Sequence, residues 1–352
     1  MLLKYDLKES KMIPLKQSVR QLKPYFVNQT PYTVKLDANE TKNYLLNQAI
    51  DLKDFPFHIY PDSDAIGLRE KLANYYGCQI DEIIVGNGSS DMINLVINGF
   101  CEKEDSVLGF TPSFSMYDIY CQFAQTKYVT INSNEDYSVS VEKLIDKAKE
   151  IKPKVIILCN PNNPTGYYIE KDEVIKVLDQ INEAIIILDE AYIDFGGDSC
   201  VDLINTYPNL IVMRTLSKAF GLASLRVGCL ITNKEMQNQL WAIKVPYNLN
   251  AISQWIAEKA LEQADKVEDF VVGVATEREL LRTQLELLGF KVFPSRANFL
   301  FVAHNHQDLF TQLNNRGILI RKIKTEDKAY YRISIGDAQE NQQLIRALEE
   351  IL

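Results

Sequence analysis

Apolar positions along the chain fall into two alternating rhythms. Short β-branched runs at 106–110, 127–131, 155–159, 184–189, 209–214 and 228–232 are separated by longer stretches whose apolar residues recur at helical spacing. Buried strands alternating with amphipathic helices predict a mostly parallel sheet covered on both faces. Ahead of this region, residues 66–76 carry a helical pattern closed by Gly77, a residue suited to a helix C-cap. A short strand at 82–85 then runs into Gly86-Asn87-Gly88-Ser89-Ser90 and a new helical pattern. After Trp255 the texture changes to a long helical pattern through residue 287, strands near 291–293 and 299–303, two strand-like runs in ILIRKI and YYRISIG, and a final helix. Residues 1–35, with Pro14, Pro24 and Pro31, read as an extended arm with one short helix. The expected organisation is therefore an arm (1–35), a large α/β domain (36–255) and a smaller α+β domain (256–352), joined without a Pro/Gly/Ser-rich linker.

Four of the strands end in polar or conformationally special clusters. These are the Gly86–Ser90 turn, Asn160-Pro161-Asn162-Asn163-Pro164-Thr165-Gly166, Asp189-Glu190-Ala191-Tyr192 and Thr215-Leu216-Ser217-Lys218. Open α/β sheets bind ligands beyond the carboxyl ends of their strands, so the four clusters converge on one expected site. Each has a plain alternative. Lys218 sits among small and apolar neighbours, which lower an amine's pKa and make it a nucleophile and base, but it also fits an ordinary loop cation. Asp189 follows the wholly apolar AIIIL and needs a cation to stay ionised there, unless it only caps a helix. The Asn-Pro cluster is a rigid turn that aims amides, or a turn alone. Ser89 and Ser90 open a helix whose unpaired N–H groups suit an anion, although the turn glycines explain part of that pattern. Arg332 and Arg321 lie on strand-like runs from which a guanidinium can grip a carboxylate or phosphate, or simply face solvent.

Composition narrows the classes. The chain has 352 residues, 46% of them hydrophobic, and a net charge of -9, a balance that argues against a nucleic-acid surface. The six cysteines are scattered without a C-x-x-C pair, and His58, His304 and His306 lack partners at metal-ligand spacing, so neither a disulfide framework nor a metal site is expected. No apolar run approaches the ~20 residues of a membrane span, and the charged N-terminus lacks a secretory core, which places the protein in the cytoplasm.

NPNNPTG, LDEAYIDF and RTLSKAFGLASLRVG, in this order, resemble the motifs of the fold-type I pyridoxal-phosphate aminotransferases, and within them the histidinol-phosphate aminotransferase group. VRQLKPY, YPDSDAIGLREKLANYYG, VGNGSSDMI, TPSFSMY and YYRISIG extend the resemblance over nearly the whole chain. It implies a three-layer α/β large domain with a mostly parallel sheet, a smaller C-terminal α+β domain, and pyridoxal 5'-phosphate as cofactor. By the same resemblance, Lys218 matches the lysine that links to the cofactor and carries the substrate proton, and Asp189 the carboxylate facing the pyridine nitrogen. Asn163 and Tyr192 match the pair that bonds the 3′-oxygen, and Phe114 the aromatic stacked on the ring. Ser89, Ser90, Thr215, Ser217 and Arg226 match the phosphate cradle, and Tyr60 a tyrosine reaching in from the partner of a homodimer. Arg332, with Arg321, resembles the grip on the substrate's anionic end, and Tyr247 and Asn248 a motif near the substrate.

The implied reaction moves the amino group between L-histidinol phosphate and 2-oxoglutarate, in histidine synthesis. Aromatic amino-acid transamination, and a threonine-phosphate decarboxylase reaction on the same scaffold, stand as alternatives. A transcription regulator built on the fold would need a DNA-binding domain, for which the short arm leaves no room. Two departures bear on the substrate side: Asp37-Ala38-Asn39-Glu40 continues as Thr41-Lys42-Asn43 instead of Asn-Pro, and Phe26-Val27 replaces the Pro-Gly after Pro-Tyr.

Overall fold

The computed structural model describes residues 13–23, 28–46, 50–324 and 329–352; Phe26-Val27 and the Pro-Tyr before them lie outside this set. After a single 3₁₀ turn at Gln17–Val19, strand β1 (Val34–Leu36) enters a smaller sheet. The next seven strands, β2 (Ile83–Asn87), β3 (Ser106–Thr111), β4 (Lys127–Asn132), β5 (Val155–Cys159), β6 (Ile185–Asp189), β7 (Leu210–Thr215) and β8 (Val227–Thr232), form the larger sheet in the order β2-β8-β7-β6-β5-β3-β4. All neighbours from β4 to β7 pair in parallel, whereas β8 is antiparallel to both β7 and β2.

Why these runs form this sheet follows from their burial. Every residue of β5, β6, β7 and β8 is buried, as expected when both faces of a sheet are covered, and such strands are written as nearly unbroken apolar runs. Successive side chains still alternate between faces. Ile156, Leu158, Ile186 and Leu188 pack into one core, and Val155, Ile157, Ile185 and Ile187 into another. Helix α1 (Ile66–Tyr76) precedes the sheet, and Gly77 caps it in the left-handed conformation (φ 70°). On one face α2 (Ser89–Phe100) and α3 (Met116–Ala124) bury Met92, Ile93, Val96 and Tyr117; on the other, α4 (Val141–Ile151) and α5 (Lys171–Gln180) bury Leu144, Ile145, Val174 and Val177. Helices α6 (Lys234–Trp241) and α7 (Ala251–Leu261) complete this part.

The helical pattern through residue 287 resolves into α7 and a separate helix, α8 (Asp265–Leu287). Beyond it lie β9 (Lys291–Val292), β10 (Phe299–Ala303), α9 (Leu309–Asn315), β11 (Ile318–Lys324), β12 (Ala329–Ser334) and α10 (Ala338–Ile351). The smaller sheet has the order β1-β11-β12-β10-β9, so the segment at the edge of the expected arm pairs with the C-terminal strands, Val34 opposite Ile318. Arg278 of α8 ties the two parts together, donating to the carbonyls of Phe195 (3.1 Å) and Ala297 (3.0 Å).

One glycine positions the ligand end of the larger sheet. A Cβ on Gly228 of β8 would lie 2.1 Å from the Ser89 nitrogen and 2.4 Å from the Gly88 carbonyl carbon, so the turn that opens α2 rests directly on the β8 backbone. Gly228→Ala is expected to destabilise the protein by about 1–3 kcal/mol, the usual cost of overpacking. Urea unfolding reads the change, and an unaltered midpoint would contradict this close approach.

Candidate active site

The carboxyl ends of β5, β6 and β7 and the β2–α2 turn surround a cavity of about 390 Å³. Ser89, Ser90, Phe114, Asn163, Asp189, Tyr192, Thr215, Ser217, Lys218 and Arg226 all line it, so the four strand-end clusters do meet. Ala38 and Glu40, from the segment after β1, close the opposite side.

Lys218 follows β7 in a turn whose neighbours Leu216, Ala219 and Phe220 are buried. Its Nζ donates to the carbonyls of Ala38 and Asn39, both at 3.2 Å. Burial, with the positive charge of Arg332 added, pushes the amine down to about 7 from its usual value. Near neutral pH a large share of this lysine is therefore the free base. Asp189 is 3% exposed at the end of β6. Its Oδ2 accepts from the Tyr117 hydroxyl (2.7 Å) and its Oδ1 from the Ala191 N–H (3.2 Å). Burial raises its pKa despite these two donors, so the carboxylate is short of a cation.

At the β2–α2 turn, Gly88 occupies the N-cap of α2 and brings no side-chain cap, leaving the first N–H groups of the helix to a ligand. A Cβ on Gly88 would lie 2.6 Å from Nη2 of Arg226, which explains how the guanidinium approaches this helix start. Arg226 itself has a left-handed backbone (φ 55°) and donates to Ser217 Oγ (3.4 Å) and the Ala223 carbonyl (3.2 Å). Thr215 Oγ1 donates to Ser217 Oγ at 2.9 Å. Backbone N–H groups, hydroxyls and one arginine at a helix N-terminus make an anion cradle. Phe114 is half-buried and packs edge-on against Tyr117, at 5.5 Å between ring centroids.

Arg332 of β12 does not itself line the cavity but is bonded to a residue that does, donating from Nη1 to Asn163 Oδ1 (2.6 Å) and from Nη2 to the Asp37 carbonyl (2.7 Å). Arg321 stands opposite Arg332 in the β11–β12 register. Besides Arg332 and Arg321, three residues of the expected site lie outside the cavity's lining. Tyr60 is 77% exposed and stacks on Tyr247, with centroids 4.7 Å apart, while the Asn248 amide donates to the Val85 carbonyl (3.0 Å).

Sequence reasoning missed Tyr117 as the donor to Asp189 and underrated Asn39. Asn39 is fully buried, has a left-handed backbone (φ 55°), and donates from Nδ2 to the Tyr192 hydroxyl oxygen at 3.1 Å. Its place in the Asp37-Ala38-Asn39-Glu40 motif was the available signal. Thr41 and Tyr44 add hydroxyl bonds to the carbonyls of Lys218 (2.7 Å) and Ala219 (2.6 Å), so this segment clasps the lysine turn. Among the described residues no cluster of metal-ligating side chains occurs, and no helix is long and apolar enough to cross a membrane.

Residues 32–348 match the model of the family described as aminotransferase class I and II. A histidinol-phosphate aminotransferase of Caldanaerobacter subterraneus subsp. tengcongensis is 40% identical over 347 residues, covering 96% of this chain and 98% of that protein. One of Clostridium novyi is 36% identical over 345 residues, covering 95% and 96%. Among solved structures, a histidinol-phosphate aminotransferase from Clostridium acetobutylicum superposes with a TM-score of 0.82 at 29% identity, covering 90% of this chain and 98% of that one. One from Sinorhizobium meliloti, solved in complex with pyridoxal-5'-phosphate, shares the fold at a TM-score of 0.88 and 21% identity, covering 97% and 98%. The chain belongs to the class I and II aminotransferases, a family that works with pyridoxal phosphate.

Proposed function

We propose that the protein is a histidinol-phosphate aminotransferase, interconverting L-histidinol phosphate plus 2-oxoglutarate with imidazole-acetol phosphate plus L-glutamate in histidine biosynthesis. The observation that carries this reading is the meeting of Lys218, Asp189 and the Asn163–Tyr192 pair in one cavity, beside an anion cradle and with Arg332 bonded to Asn163. Relatives that bear the name match over almost their whole length.

The cavity fits the cofactor. Asp189 is a buried carboxylate in need of a cation, which a protonated pyridine nitrogen would provide, and Ser89, Ser90, Thr215, Ser217 and Arg226 would hold the phosphate. Phe114 would cover the ring. Bound there, pyridoxal phosphate supplies a sink for the electrons left when the substrate Cα loses its proton. The protein's part is binding and proton movement. Lys218, a large share of it unprotonated at Nζ near pH 7, accepts the Cα proton and returns it. Arg332, which Asn163 and the Asp37 carbonyl hold in place, orients the anionic end of the substrate, with Arg321 across the strand pair as the second cation. Two guanidiniums suit both a glutamate carboxylate and a histidinol phosphate group.

A homodimer is supported by the exposed apolar set Phe57, Ile59, Tyr60, Val245 and Tyr247, which a second copy would cover while bringing Tyr60 to the neighbouring site. Six free cysteines accord with a cytoplasmic protein.

A second reading rests on the similarity of an L-threonine-O-3-phosphate decarboxylase from Porphyromonas gingivalis, at 25% identity and a TM-score of 0.75. Single-turnover mixing of the cofactor-loaded protein with histidinol phosphate, phenylalanine, tyrosine and threonine phosphate separates the candidates. Histidinol phosphate is expected to react fastest, with 2-oxoglutarate regenerating the starting form; equal rates for phenylalanine would sink the specific assignment.

In the cofactor-free protein, acylation of Lys218 should rise with pH around a midpoint of about 7, because the protonated amine below that value does not react. A midpoint near the ordinary lysine value would contradict the depressed amine. Mixing and reassociating Lys218→Ala with Tyr60→Ala subunits is expected to restore activity that neither has alone, since one site of the mixed dimer is intact. No gain over the separate proteins would rule out the shared site.

A further inference from the structure

Two residues of one strand, two positions apart, each fix the direction of an asparagine amide. Arg332 and Ser334 lie on the same face of β12, as alternate strand residues must. Arg332 donates to Asn163 Oδ1, which leaves the Asn163 amide nitrogen turned toward Tyr192, 3.5 Å from its hydroxyl oxygen. Ser334 Oγ accepts the backbone N–H of Asn39 at 2.8 Å and so has its own proton to give, which goes to Asn39 Oδ1 at 3.2 Å. With Oδ1 occupied in this way, Nδ2 of Asn39 must face Tyr192, and it donates to the hydroxyl oxygen at 3.1 Å.

A phenolic hydroxyl has one proton and accepts through its oxygen lone pairs. Two amide donors fill the acceptor side of Tyr192, so its proton has a single direction left, into the cavity it lines. The same Asn39 accepts Lys218 Nζ on its carbonyl at 3.2 Å, beside the Asn298 amide at 3.1 Å. Its left-handed backbone, tolerated by asparagine better than by most side chains, presents carbonyl and amide to the two catalytic groups together.

We propose that Asn39, aligned by Ser334, is a positioning residue that compels Tyr192 to act as a hydrogen-bond donor toward the 3′-oxygen of the cofactor. The inference rests on the assignment of this cavity to pyridoxal phosphate. A Tyr192 that donates stabilises the anionic 3′-oxygen and thereby lowers the pH at which the lysine-linked cofactor gives up its proton. Asn39→Asp keeps the shape but replaces the donor by an acceptor that draws the Tyr192 proton to itself.

The test is the pH titration of the visible absorption band of the cofactor-loaded protein. Asn39→Asp is expected to raise the midpoint by at least about one pH unit relative to the native protein, the scale of one lost charge-assisted hydrogen bond. Ser334→Ala, which frees the Asn39 amide to turn, should raise it by a smaller amount. In a Tyr192→Phe background the Asn39→Asp shift should largely vanish, because the two residues act as a unit. A shift of the same size with and without the Tyr192 hydroxyl would overturn the proposal, since it would show the new carboxylate acting directly on the cofactor. An unmoved midpoint in both Asn39→Asp and Ser334→Ala overturns it equally. Asn39→Gly, which retains the left-handed backbone without the amide, guards against misfolding: its melting temperature and cofactor uptake should stay near native while its midpoint rises. Failure of the native protein to develop a band with pyridoxal phosphate would instead defeat the cofactor assignment itself.

Discussion

A carboxylate at the end of a buried strand is the constraint on which the site depends. Asp189 closes a strand with no exposed residue, and two hydrogen-bond donors do not offset its desolvation. Ionised and unpaired it would be costly, and a group that meets it must bring positive charge. The sheet order puts β5 and β7 on either side of β6, so the Asn163 turn and the Lys218 turn flank the carboxylate by topology. The low-dielectric surroundings that raise Asp189 are also those that lower Lys218 to about 7. One environment thus leaves a carboxylate short of a cation beside an amine that gives up its proton easily.

The segment 37–44 carries the second half of the site. It runs from a strand of the smaller sheet across the lysine turn, which it clasps through Thr41 and Tyr44. Lys42 pairs with Asp337 at the start of α10, and the Asp37 carbonyl accepts from Arg332. An anion drawn to Arg332 therefore meets a residue already connected to Asn163 and to the segment holding Lys218 Nζ. The departure from the family pattern at Thr41-Lys42 falls in this clasp, away from the residues that line the cavity's phosphate end.

The larger sheet was legible because strands buried on both faces are written as apolar runs with turn chemistry at their ends. The expected strands at 155–159 and 299–303 coincide with β5 and β10. Others end one or two residues later, where Gly86, Asn87, Thr111, Asn132 or Thr215 continues the backbone pairing beyond the apolar run. That Lys218, Asp189, Ser89, Ser90 and Ser217 meet in one cavity was legible for the same reason, since they stand at or just beyond strand ends. What periodicity could not convey were partners from distant segments. Asn39 meets Ser334 across 295 positions, and Tyr117 meets Asp189 across 72. Nor do three residues such as Val34–Leu36 carry enough pattern to reveal that they pair with a strand near the other end of the chain.

Because the account turns on Asp189 needing a cation, the most direct measurement is nitrogen NMR of the protein loaded with pyridoxal phosphate labelled at the ring nitrogen. The pyridine nitrogen is expected to be protonated in the native protein, well above the pH at which the free cofactor loses that proton, and neutral in Asp189→Asn. A neutral nitrogen in the native protein, or one unaffected by the substitution, would contradict it.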